Sequence, residues 1–134
     1  MAAETNLHKL IRTMTPRLNP DEYVFCSMNQ FSQCFMDEAI GLFREEEGWS
    51  LIMKRENAES LGIPYDSAWA WITLTVHSSL EAVGLTAAFA QALAQNDLSC
   101  NVVAACHHDH IFVKAEEALK AMAVLENLAN SEKE

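Results

Sequence analysis

The chain has 134 residues, 50% of them hydrophobic and 21% charged. That is the composition of one globular domain, or of two small halves sharing a core, and it excludes a disordered or fibrous chain. Nineteen Asp and Glu against nine Lys and Arg give a formal charge of −10. Such a chain repels polyanions, so neither nucleic acid nor an anionic membrane surface is expected as a partner. No stretch approaches the ~18 to 20 uninterrupted apolar residues of a membrane helix. Glu4, His8, Lys9 and Arg12 interrupt the first fifteen residues, which therefore lack the apolar heart of an export signal.

Four cysteines stand at Cys26, Cys34, Cys100 and Cys106, with no C-x-x-C pair and no zinc-finger spacing. Cys26, Cys100 and Cys106 lie in apolar runs and are expected as buried thiols. The expected location is a reducing cytoplasm.

Along the chain, Leu7, Leu10, Ile11 and Met14 repeat at i, i+3, i+4, i+7 and predict a helix over Thr5 to Met14, stopped by Pro16 and Pro20. Tyr23 to Cys26 reads as a strand. Met28 to Asp37 reads as a loop with Phe31 and Phe35 tucked in. Ala39 to Arg44 and Trp49 to Met53 flank Glu45 to Gly48 as a hairpin. Glu56 to Leu61 makes one or two helical turns closed by Gly62 and Pro64. Ile63 to Ser67 is the internal boundary, dividing the chain into residues 1–66 and 67–134.

In the second half, Trp69 to His77 alternates, with Ala70, Ile72, Leu74 and Val76 on one side and Trp69, Trp71, Thr73, Thr75 and His77 on the other. Leu80 to Gln95 reads as a helix with Leu85, Phe89, Ala92 and Leu93 as its buried stripe. Ser78 and Glu81 form a capping box at its start. Cys100 to Cys106 and His110 to Val113 are strands joined by a tight turn at His107 to Asp109. Ala115 to Leu128 is a helix with Ala118, Leu119, Met122, Leu125 and Leu128 at helical spacing. The order β-α-β-β-α is the split unit of a ferredoxin-like α+β fold, an antiparallel sheet with helices on one face. It lacks its fourth strand, which Tyr23 to Cys26 or a partner chain is expected to supply.

The passage from Val76 to Leu85 ends a strand and begins a helix. Its exposed N–H groups and helix dipole suit a carboxylate, with the turn at His77, Ser78, Ser79 and Leu80 as the anion seat. Val83, Gly84 and Leu85 line the same junction, and Gly84, lacking a Cβ, lets another group approach closely. Asp109 can accept from an ammonium group, and Asn101 offers a donor and an acceptor. Every strand-to-helix junction carries such N–H groups, and Asp is a common turn residue. Cys106-His-His-Asp-His110 is the rival cluster. Alternation lets only His108 and His110 point together, and a metal would need His77 as a third ligand. The sequence holds no G-x-S-x-G, P-loop, G-x-G-x-x-G or H-E-x-x-H, so it reads as non-enzymatic and without a cofactor. Trp69 and Trp71, on the strand face away from the helices, need cover from the first half or from a second subunit.

The segment Ile72-Thr-Leu-Thr-Val-His-Ser-Ser-Leu-Glu-Ala-Val-Gly-Leu-Thr-Ala87 resembles the first strand, loop and helix of an ACT domain. The likeness continues through Ser99 to Ala105 and His108 to Val113. With Glu22 to Cys26 and Phe43 to Gly48, it extends to a small bacterial ACT-domain family with an ACT-like N-terminal half. A more distant likeness, at Gly84 and Asp109, runs to cytosolic arginine sensors built from ACT repeats. The resemblance implies a ferredoxin-like ACT fold in two unequal halves, and non-catalytic binding of a small molecule, an amino acid first of all, by a homodimer. The alternative is a structural or metal-associated ACT-fold protein that uses the His/Cys hairpin without an amino-acid pocket.

Overall fold

A computed structural model describes residues 6–76 and 83–131. Its elements in chain order are α1 (Leu7–Thr13), β1 (Pro16–Leu18), β2 (Tyr23–Met28), α2 (Gln33–Glu38), β3 (Ala39–Glu45), β4 (Gly48–Lys54), α3 (Arg55–Leu61), β5 (Trp69–Leu74), α4 (Leu85–Ala94), β6 (Asn101–Ala104), β7 (Asp109–Lys114), a 3-10 turn (Ala115–Glu117) and α5 (Ala118–Ser131). They form two compact units. One is Pro20–Trp69; the other joins the segment ending at Asn19 to the stretch from Ala70 onward. Both are α+β, with antiparallel pairing and the ferredoxin-like order of elements.

In the Pro20–Trp69 unit the sheet runs β3-β4-β2, and Tyr23 pairs onward with Trp69. Val24, Cys26, Leu51 and Met53 point to one face and bury against Phe35 of α2 and Ala58 of α3. The stretch expected as a loop therefore contains a helix. Ser32 stands at its N-cap and Phe35 buries inward, while Phe31 stays half exposed against Phe35 and Trp49. Six residues offer too short a pattern for periodicity to reveal. The hairpin forms as expected, with Gly48 at φ +140 under the carbonyl oxygen of Met28, where no side chain fits.

In the other unit the sheet runs β1-β5-β7-β6. Pro16, Arg17 and Leu18 pair with Leu74, Thr73 and Ile72, so β1 supplies the fourth strand, while of Tyr23 to Cys26 only Tyr23 reaches β5, at Trp69. A three-residue strand opening on Pro16 has no alternation to read and looks like the end of a helix. Ala70, Ile72, Leu74, Ile111 and Val113 face Leu10 and Ile11 of α1, Leu85, Phe89 and Leu93 of α4, and Ala121, Leu125 and Ala129 of α5. Each fully buried Val, Leu, Ile or Phe among them contributes about 1.5–3 kcal/mol, and each alanine less. The phase of α5 leaves Leu119 at 79% exposure, outside the stripe assigned to it. All four cysteines are free thiols, and Cys106 is exposed rather than buried because it lies in the β6–β7 turn.

Candidate functional site

Asp109 opens β7 and is not a turn residue: Ala105 N–H closes the turn onto the His108 carbonyl, and Ala104 pairs with Asp109. Side chains alternate along β7, so Asp109 shares the helix-covered face with Ile111 and Val113, and it is buried. Trp71 contacts Phe112 while Thr73 contacts His110. The chain thus enters β7 at the end of the sheet where it leaves β5 for α4. No side-chain hydrogen bond or ion pair to Asp109 is found among the described residues. Burial pushes its carboxyl up from the usual range, against the pull of His110 and His108.

The helix that follows begins at Leu85, later than Leu80, with Gly84 at its N-cap in the left-handed region (φ +96) and no side chain capping it. Among the described residues no side chain caps the N–H groups of its first turn, and that of Ala88 is bonded within the helix, to the Gly84 carbonyl; Ser78 and Glu81 lie outside the described residues. A Cβ at Gly84 would lie 3.0 Å from Leu7 Cδ2, so the close approach this glycine permits is made by Leu7. The Leu85 side chain is in the core, leaving only its backbone for a ligand, and Val83 is exposed. His77, Ser78, Ser79 and Leu80 lie outside the described residues. Asn101 pairs with Phe112 and donates to its carbonyl (3.4 Å), which puts it on the face opposite Asp109. The structure does not bring these two together.

That opposite face holds a network the sequence reading did not anticipate. Asn19 Nδ2 donates to the Trp71 carbonyl (3.1 Å) and to Thr73 Oγ1 (2.9 Å). Trp71 Nε1 donates to His110 Nδ1 (3.0 Å), and Thr73 Oγ1 stands 3.1 Å from the same nitrogen. The one signal was Thr73, a hydroxyl set between aromatic neighbours on an alternating strand. His108 and His110 meet edge to face at 6.4 Å between ring centres, and His108 Nδ1 is buried with no hydrogen-bond partner among the described residues. Among the described residues no three His, Cys, Asp or Glu converge to hold a metal.

In the Pro20–Trp69 unit an open cleft is lined by Asp21, Glu22, Lys54, Arg55, Glu56 and Glu59. Its charges pair internally: Lys54 with Asp21 (3.4 Å), and Arg55 with Glu22 (2.8 Å) and Glu59 (3.1 Å). Tyr65 and Arg55 both donate to Glu59 and hold its carboxyl below the usual range. This is a solvated ion-pair cluster in which both cations are already paired.

Models of the ACT domain match residues 2–70 and again 67–127. A Vibrio cholerae protein of unknown function, described as a possible transport protein, is 44% identical over 92% of this chain and 95% of its own, with a TM-score of 0.83. An Agrobacterium tumefaciens protein (14% identity, 87% and 89% coverage) superimposes with a TM-score of 0.74. The ligand-free regulatory subunit of aspartate kinase from Thermus thermophilus (12% identity, 88% and 98% coverage) gives 0.62, a likeness of fold. No curated protein matches. No helix among the described residues is long and apolar enough to cross a membrane.

Proposed function

Because this chain belongs to the ACT-domain family, we propose that it is a non-catalytic sensor that binds a small zwitterion, an amino acid first of all. In this reading the ligand ammonium meets Asp109. Its carboxylate meets the first-turn N–H groups of α4 and the segment of His77, Ser78, Ser79 and Leu80, beside Val83, Gly84 and Leu85. Asn101, on the far face, is set aside. The observation that carries the proposal is a buried carboxylate with no partner of its own among the described residues. Such a group costs stability until a cation pairs with it, and an α-ammonium is the cation an ACT ligand brings.

The same reading makes the protein a cytoplasmic homodimer. Four free thiols fit a reducing compartment, and Phe25 and Phe43, 38% and 71% exposed, offer apolar surface to a second copy.

Thermal unfolding with each common amino acid, and separately with zinc, nickel and copper, tests the proposal. A ligand at 100 times its Kd stabilises by about 2.7 kcal/mol, several degrees for a chain of this size. The expected result is a shift with one amino acid or a small set, lost in Asp109→Asn. A shift with a metal and with no amino acid would favour the metal-associated alternative and end the sensing claim.

A further inference from the structure

We propose that His110 is a proton-operated latch: neutral, it ties β5 and β7 together through the Trp71 indole, and protonated, it lets that indole go. The inference is independent of the ligand reading, because His110 and Asp109 lie on opposite faces of β7.

An indole N–H can only donate. The 3.0 Å contact from Trp71 Nε1 therefore fixes His110 Nδ1 as an acceptor, and the ring carries its single proton on Nε2. Thr73 Oγ1, 3.1 Å away, donates to the same lone pair while accepting from Asn19 Nδ2. The chain of bonds thus runs from Asn19, just beyond β1, through β5 to β7. Thr73 is 1% exposed, so water does not replace its two bonds, while Trp71 and His110 are half-buried and leave the ring within reach of solvent.

A proton taken from solvent adds to the Nδ1 lone pair. The new N–H then faces the Trp71 N–H, donor against donor. The Thr73 hydroxyl can turn to accept, but the indole cannot, and its bond is lost. The groups facing the ring from each side are Arg17 on β1, Trp71 and Thr73 on β5, Val103 opposite on β6, and His108 and Asp109 beside it in sequence. Burial and the neighbouring His108 disfavour the added charge. Asp109 favours it, and Arg17 again opposes it. The balance holds His110 below its ordinary value of 6.5, so the latch opens in mild acid and stays shut at neutral pH.

The test is an NMR titration of the whole chain from about pH 7.5 to about pH 5. It follows the three indole N–H signals, with that of Trp71 assigned by its disappearance in Trp71→Phe. The Trp71 signal is expected to move with a single midpoint below 6.5, matching that of the His110 ring. In His110→Gln the Trp71 signal stays flat. In Trp71→Phe, which leaves the histidine intact, the His110 midpoint rises towards its ordinary value. A Trp71 signal that does not titrate, one that titrates equally in His110→Gln, or a His110 midpoint unchanged in Trp71→Phe overturns the latch.

Discussion

Leu7 of α1 lies against Gly84 at the head of α4, its Cδ2 at 3.0 Å from where a Cβ would stand. One residue position thus joins two strains: a backbone at φ +96 and a neighbour already in place. Gly84→Ala is expected to lose roughly 1–2 kcal/mol from the left-handed backbone alone. In a Leu7→Ala background that penalty shrinks without vanishing, because the neighbour is gone and the backbone remains. Denaturant unfolding of both single variants and the double variant measures this, with a coupling of roughly 0.5–3 kcal/mol. Additive losses would mean that Leu7 gives way freely.

The raised carboxyl of Asp109 fixes the sign of a pH effect. The folded chain holds that proton to higher pH than the unfolded chain does, so the stability it confers is complete below the ordinary value of 3.8. It is lost as pH rises through the raised value. At neutral pH the buried charge is a net cost. Asp109→Asn should therefore melt higher than the wild type at pH 7, with the difference closing in acid. If the variant melts lower at pH 7, the carboxylate already has a partner within the protein.

Gly48 and Gly62 both take positive φ but differ in surroundings. A Cβ at Gly62, φ +68, meets nothing within 4 Å, and Gly62→Ala is expected to cost about 1 kcal/mol. At Gly48 the Cβ would run into the Met28 carbonyl, which cannot retreat without breaking the β2–β4 ladder at Met28 and Trp49. Gly48→Ala should cost roughly 3 kcal/mol or more, seen as a several-fold larger drop in unfolding free energy.

The sequence was legible where pattern and burial agree over many residues. The α4 stripe of Leu85, Phe89 and Leu93, the Ala70-Ile72-Leu74 face of β5 and the β3–β4 hairpin all form as periodicity predicts. It was illegible where an element is shorter than its own period. The three residues of β1 and the six of α2 are specified by what they pack against, Thr73 and Leu51 among others, and not by local repetition. For the candidate site, Asp109 and Gly84 stood out as residue types. The sequence could not show that Leu7 occupies the space beside the glycine, nor that a one-residue step in the β6–β7 turn moves Asp109 from loop to strand. That step also sends Asn101 to the other face, since parity along a strand decides which side chains meet.

Asn19 offers the last test, because it joins the β1 end to β5 through side-chain bonds to a carbonyl and a nearly inaccessible hydroxyl. Asn19→Ala removes the donor and leaves Thr73 Oγ1 short of one bond in a place water does not reach, a loss of about 1–3 kcal/mol. Thr73→Val removes the hydroxyl while keeping the shape. Once it is gone, Asn19→Ala has less left to break, so the double variant should lose less than the sum of the two. Strict additivity would mean that the Asn19 side chain acts through its bond to the Trp71 carbonyl alone.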